Sequence, residues 1–399
     1  MPCPARWMKS GPSCVTIKSS PNDPCALVKS ESGSQRCLPV RSGLKYKNCC
    51  LRSGPEAYGS KIQTQTVPVV LEGTRTEILS SMIFSGRRFR IVWNRLYHFK
   101  PEQTFHEFLD YLVLETLGRE WFKKQAEKPR SDQHVISQWR KALQDLVSTP
   151  STTPDGGWVR TGPVDAYLNL AYDLYWLQLI HRLPRSLEKR LRSRDAFQGA
   201  RYEVLVAATF ARAGFEIELL DESIKSVKHC EFVATHKKTG TKVYVEAKSR
   251  RRPGVLNQPG TFDPATQAKG DIFRLYAEAT QQGPHNNHLY FIFIDANLPV
   301  DVPHNAPPYG AMPLDSVPWM KEIETGLRAR WNTMAGAAVE SAVCITNYAP
   351  HFGNDRDAAP IGICSLFSPP NTKAPVRDIE MLDDLVHCLR FYGRIPKQF

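Results

Sequence analysis

Glu231, Glu246 and Lys248 have the types and spacing to do chemistry together. Glu246 and Lys248 stand two residues apart, so on a strand they point to one face. The stretch from Cys230 to Ser249 reads as two strands around a Lys-Lys-Thr-Gly turn. A two-residue loop at Thr239–Gly240 sets Glu231 opposite Lys248, and one at Lys238–Thr239 sets it opposite Glu246. All three side chains share a face in both registers, and only a one-residue slip separates them. Two carboxylates about one strand spacing apart can clamp a hard divalent cation such as Mg2+ or Mn2+. Such an ion polarises a phosphodiester oxygen and lowers the pKa of a water it holds. An ammonium alongside can orient that water or stabilise charge developing on phosphorus. The neighbours Val233, Val245 and Ala247 mark the other face as apolar. The ordinary alternative is a solvent-facing Glu–Lys pair across two strands, worth little in stability.

These residues sit within alternating helices and strands. GARYEVLVAATFARAG reads as an amphipathic helix stopped at Gly214, and FEIELL follows as a strand. After the acidic hairpin come a helix (DIFRLYAEATQ), an apolar strand buried on both faces (HLYFIFID) and a further helix (VPWMKEIETGLRARW). AVCITNY and IGICSLF read as strands and MLDDLVHCLRFYG as a closing helix. The pattern predicts an α/β domain over 195–399. Upstream, residues 61–194 read as mainly helical, with β-like runs (QTVPVVLE, RFRIVWNRLY) near their start. VDAYLNLAYDLYWLQLIHRL is apolar around most of its circumference and so belongs in a core. Residues 1–60, rich in Ser, Pro, Gly, Lys and Cys, predict a small, partly disordered head.

Three short motifs in this order resemble the PD-(D/E)xK, restriction-endonuclease-like nucleases. Gly199-Ala200-Arg201-Tyr202-Glu203 matches that superfamily's acidic helix, Glu231 its acidic strand, and Val245-Glu246-Ala247-Lys248-Ser249 its closing strand. The resemblance covers about residues 195 to 300. It implies a mixed sheet flanked by helices, carboxylates of Glu203, Glu231 and Glu246 around Mg2+ or Mn2+, and Lys248 serving the attacking water. It also implies a role for Gln267, contacting the active site or the nucleic acid. The expected activity is metal-dependent hydrolysis of phosphodiester bonds, in DNA by preference. Glu231 stands where Asp is usual, and Cys230 where Pro is usual. That departure favours the alternatives, a nucleic-acid-binding protein that keeps the fold without turnover, or an adaptor acting through its head.

The formal charge of +12 attracts polyanions, of which nucleic acid is the commonest. Arg250, Arg251 and Arg252 follow directly on Lys248 and predict phosphate contacts at the mouth of the site. A second basic run from Arg182 to Arg194 leads into the Glu203 helix; a solvated face is its ordinary fate. Cysteines crowd the first fifty residues, which suggests metal ligation more than a disulfide framework. Arg41 to Cys50 resembles the second half of the SEC-C zinc motif, which implies a zinc knuckle using Cys37, Cys49 and Cys50, with Cys25 or Cys14 as a fourth ligand. The motif's first two cysteines fall at Leu38 and Val40, so Cys37 is one residue out of phase. Such a head suits a protein or nucleic-acid partner. No Gly-rich phosphate loop is present, which argues against ATP hydrolysis. With no apolar leader or membrane-length run, the expected compartment is the cytoplasm.

Overall fold

The computed structural model describes 81–151, 157–180, 183–220, 230–261, 263, 271–284, 287–299, 317–352 and 364–396 in full, with the backbone of 13–18, 27–29, 35–37, 63–69, 77–80 and 363. The chain divides into two compact units, Met1–Leu112 with Pro396–Phe399, and Val113–Ile395. This division differs from boundaries at 60 and 194, because the helices between 119 and 192 belong with the α/β sheet.

The first unit holds an antiparallel sheet of β1 (Ser13–Lys18), β2 (Leu27–Lys29), β3 (Gln35–Cys37), β4 (Gln63–Val69), β5 (Glu77–Phe84), β6 (Arg87–Val92) and β7 (Arg95–Phe99). Its order is β3-β2-β1-β7-β6-β5-β4. The β-like runs near residues 61 to 99 are therefore strands of one sheet.

The second unit contains α2 (Arg119–Ala126), α3 (Val135–Ser148), α4 (Gly162–Ile180), α5 (Arg185–Arg192) and α6 (Phe197–Arg212), with α1 (Phe105–Leu117) crossing the division. Its strands are β8 (Phe215–Leu219), β9 (Phe232–His236), β10 (Lys242–Ser249), β11 (Leu289–Asp295), β12 (Ala342–Asn347) and β13 (Ile363–Phe367). Between and after them lie α7 (Ile272–Thr280), α8 (Pro318–Thr333) and α9 (Ile379–Arg390). The strands form one mixed sheet in the order β13-β12-β11-β10-β9-β8. β8, β9 and β10 make an antiparallel meander, β10, β11 and β12 run parallel, and β13 returns antiparallel.

The sheet has two differently used faces. Tyr290, Ile292, Ile294, Val343 and Ile345 pack with Ile272, Leu275, Met320, Ile323 and Leu327 of α7 and α8. In register with the first three are Tyr244, Glu246 and Lys248, which therefore share this face. The other face carries Phe232 and Phe293, and α6 covers it through Phe210. α6 is buried along almost its whole length and ends at Gly214, whose φ of +88° suits glycine. Phe210 touches Phe215, Phe232 and Phe293 with ring centroids at 4.9, 5.6 and 5.6 Å.

Phe210→Ala removes the ring that joins helix to sheet, so it should cost about 3–5 kcal/mol, read as a lower urea midpoint for this unit.

Candidate active site

The acidic hairpin is regular near its turn and irregular at its far end. β9 and β10 pair from Thr235 opposite Lys242 to Phe232 opposite Val245. This is the register expected from a loop at Lys238–Thr239, but the connection is longer. His236 N donates to Thr241 O at 2.9 Å and Gly240 N to His236 O at 2.8 Å, which leaves Lys237 to Gly240 as a four-residue turn. Gly240 takes φ +73°, a conformation glycine adopts without penalty. The turn is tied to α9: His236 lies between Thr239 Oγ1 at 2.9 Å and Asp384 Oδ2 at 3.2 Å, and Lys238 Nζ donates to the same Asp384 oxygen at 3.0 Å.

At the other end, Glu231 N donates to Val245 O at 3.0 Å, although Val245 is already the ladder partner of Phe232. Two residues thus oppose one, the definition of a β-bulge. Toward β8 the ladder stays regular, because Leu220 N donates to Glu231 O at 3.2 Å. Leu220 packs on the apolar cluster of the α7–α8 face, so its partner Glu231 stays on the face of Glu246. The bulge also brings Cys230 into that cluster, where its side chain is buried. Simple strand parity is therefore insufficient to place Glu231; the bulge re-aims it while preserving the grouping.

Glu246 is fully buried in a central strand. Lys248 Nζ lies 2.5 Å from its Oε1 and also donates to Gln282 Oε1 at 2.9 Å, just beyond α7. Neither Glu246 oxygen has a well-aligned hydrogen bond among the described residues. Burial pushes the Glu246 carboxyl up to about 7. The Lys248 ammonium pulls it down, and the charge on Glu231 raises it further. The Cys230 thiol is pushed up to about 12, by burial first and by Glu246 second, so it stays a neutral wall of the site. The Tyr290 hydroxyl, which donates to Ala279 O at 2.7 Å, is likewise held protonated by burial and then by Glu246.

Other expected site residues lie differently. Glu203 is buried on α6, which covers the opposite face of the sheet, and pairs with Arg190 NH2 at 2.8 Å. Arg250 is buried and donates to Asp271 Oδ1 at 2.6 Å. Arg252 is buried and donates twice to Ala296 O, at 2.8 and 3.2 Å. These two arginines fix the end of β10 to the end of β11 and to the start of α7. Only Arg251 of the three is exposed, donating to Asp195 at 3.1 Å and to Gln258. Gln267, Cys49 and Cys50 lie outside the described residues. Cys37 ends β3, but its side chain is not among those described. Among the described residues no group of three or more His, Cys, Asp or Glu side chains could hold a metal ion, and no helix is long and apolar enough to cross a membrane.

The structure adds residues that sequence patterns missed. Gln282 had no motif to announce it. Asp295 had a visible signal, an acid ending an otherwise apolar strand. It is buried and accepts from Arg201 NH2 at 2.9 Å and Ser249 Oγ at 3.3 Å. Neither a family model, nor a curated protein, nor a solved structure matches the chain.

Glu246 binds its proton more tightly in the folded chain than at its ordinary value of 4.5. Its stabilising contribution is therefore complete below about pH 4.5 and is lost as pH rises toward about 7. Glu246→Gln should be nearly insensitive over that window. Urea midpoints of wild type and variant should diverge between pH 5 and 7 in the variant's favour; parallel curves would refute the assignment.

Proposed function

We propose that the protein is a metal-dependent nuclease, hydrolysing phosphodiester bonds of nucleic acid, preferably DNA, through a restriction-endonuclease-like domain. One observation carries the reading: the Lys248 ammonium lies 2.5 Å from the buried Glu246 carboxyl, beside the bulge that holds Glu231. The order of a helix bearing Glu203, a hairpin arm bearing Glu231 and a strand bearing Glu246-Ala247-Lys248, in a mixed sheet, supports it.

The donor set fits a hard divalent cation with two protein carboxylates, since Mg2+ commonly keeps several waters and takes only one or two carboxylates. Glu231 and Glu246 would hold it; when bound, it would polarise a phosphodiester oxygen. Lys248, held between Glu246 and Gln282, would orient a water or stabilise charge on phosphorus. A carboxyl poised near neutral pH is also suited to accept a proton there. Arg251 is the arginine of its triplet with an exposed head to offer a phosphate. The Arg190–Glu203 pair favours a second reading, a nuclease-fold binder without turnover, because it draws the third carboxylate of the resemblance elsewhere.

Plasmid, linear and single-stranded DNA and RNA should be incubated with Mg2+ or Mn2+. We expect metal-dependent cleavage that falls about a hundredfold or more in Lys248→Ala and Glu246→Gln. Full nucleic-acid binding without cleavage in either metal would favour the second reading.

A further inference from the structure

We propose that the outer face of the β6–β7 hairpin binds single-stranded nucleic acid, with bases stacked on Phe89 and Trp93 and phosphate held by Arg87. The inference does not rest on hydrolysis at Glu246, because it concerns a different unit and needs no metal.

Strand alternation divides the hairpin. Arg88, Arg90 and Val92 point inward and are buried, whereas Arg87, Phe89 and Ile91 point outward. The inward arginines are spent on structure. Arg88 donates to Ser81 Oγ at 3.1 Å and to Pro101 O at 3.0 and 3.3 Å. The Arg90 guanidinium lies over the rings of Phe105 and Phe108, at 4.8 and 5.5 Å. The hairpin is thus held from within, and its outer face is left as a platform.

That face is aromatic, apolar and exposed. Ile91 is 53% exposed and Trp93, at the tip, 49%. Phe89 is half-buried, with His98 beside it at 6.0 Å between ring centroids. Scattered exposed apolar residues are ordinary. Trp93 is not, because its φ of +52° lies in the left-handed region, where a bulky residue is strained and glycine or asparagine is at ease. A tryptophan kept in such backbone, facing water, points to a partner that covers it.

The surrounding charge identifies the partner's chemistry. Residues 78 to 101 contain no Asp or Glu, and of their arginines Arg87 stands on the outer face while Arg88 and Arg90 are turned inward. Arg87 NH1 donates to His98 Nδ1 at 2.8 Å, so the outward His98 nitrogen is Nε2–H. Burial and then Arg87 lower the His98 pKa, which keeps this ring a flat neutral surface. An arginine beside planar rings, on a stretch without acids, suits a strand whose phosphates and unstacked base faces are both accessible. Duplex bases have their faces covered by neighbours, so a flat sheet cannot reach them.

The test uses the full chain in EDTA with a short fluorescein-labelled oligodeoxythymidylate, read by anisotropy. Phe89→Ala and Trp93→Gly should each weaken binding about tenfold, and added salt should weaken it further. Phe89→Tyr, which keeps a ring, should bind like wild type. Trp93→Gly relieves the positive φ, so its thermal midpoint should not fall and lost binding cannot be ascribed to unfolding. Oligonucleotide binding unchanged in the Phe89→Ala, Trp93→Gly double variant would overturn the proposal. So would duplex DNA, or vesicles of anionic phospholipid, binding with the same dependence on those two residues. Binding that persists where no Mg2+-dependent cleavage is found would count against the nuclease reading alone.

Discussion

A carboxylate buried in the central strand of a mixed sheet is the constraint around which the second unit is arranged. Ionised and alone, Glu246 would carry a desolvation cost of several kcal/mol. The chain meets it in three ways. Lys248 stands two residues along the same strand and supplies the opposite charge. Gln282 holds Lys248 from the end of α7, so the ammonium is not free to swing into solvent. What remains is met by the carboxyl keeping its proton to about pH 7. Each of these needs the β10–α7–β11 crossover to be in place, because α7 delivers Gln282 and β11 supplies the apolar floor beside Glu246.

The opposite face solves a related problem with fixed partners. Arg201 of α6 meets Asp295 at the end of β11, and Ser249 meets it from the end of β10. Tyr202 shares a hydrogen bond with Thr346 of β12 at 2.7 Å. Arg252 closes on Ala296 O and Asn297 Nδ2 on Gln198 Oε1 at 3.2 Å. These bonds pin the same ends of three parallel strands to α6. On the Glu246 face burial leaves one carboxyl with its pKa raised to about 7 despite the ammonium beside it.

Much of the fold was legible because period and burial agree. LYFIFID is apolar up to its closing Asp295 and lies between two parallel neighbours; the α6 helix ends at the glycine that stops it. The pairing of Glu246 with Lys248 was legible too, since residues two apart on a strand share a face whatever the turn does. What was hidden depended on contacts remote in sequence. Arg250, Arg251 and Arg252 look like a phosphate-binding triplet, but Asp271 and Ala296 O claim the first and the last. The β-like run from Arg88 to Tyr97 gave no hint that Arg88 and Arg90 would both be claimed by a packed inner face. The bulge at Glu231 was equally invisible, because it arises where two backbone N–H groups face one carbonyl and no side-chain pattern records that.

The bulge bears directly on where the Glu231 side chain leaves the strand. A longer side chain in a regular ladder would push its carboxyl past the position a shorter one occupies. Here the ladder itself is altered at that residue: two positions oppose Val245, and Cys230 is drawn into the apolar cluster beside Glu246. Cys230, buried and held neutral, lies beside the acids. Residues 230 and 231 thus form one local arrangement, a bulge that carries an acid with a buried thiol beside it.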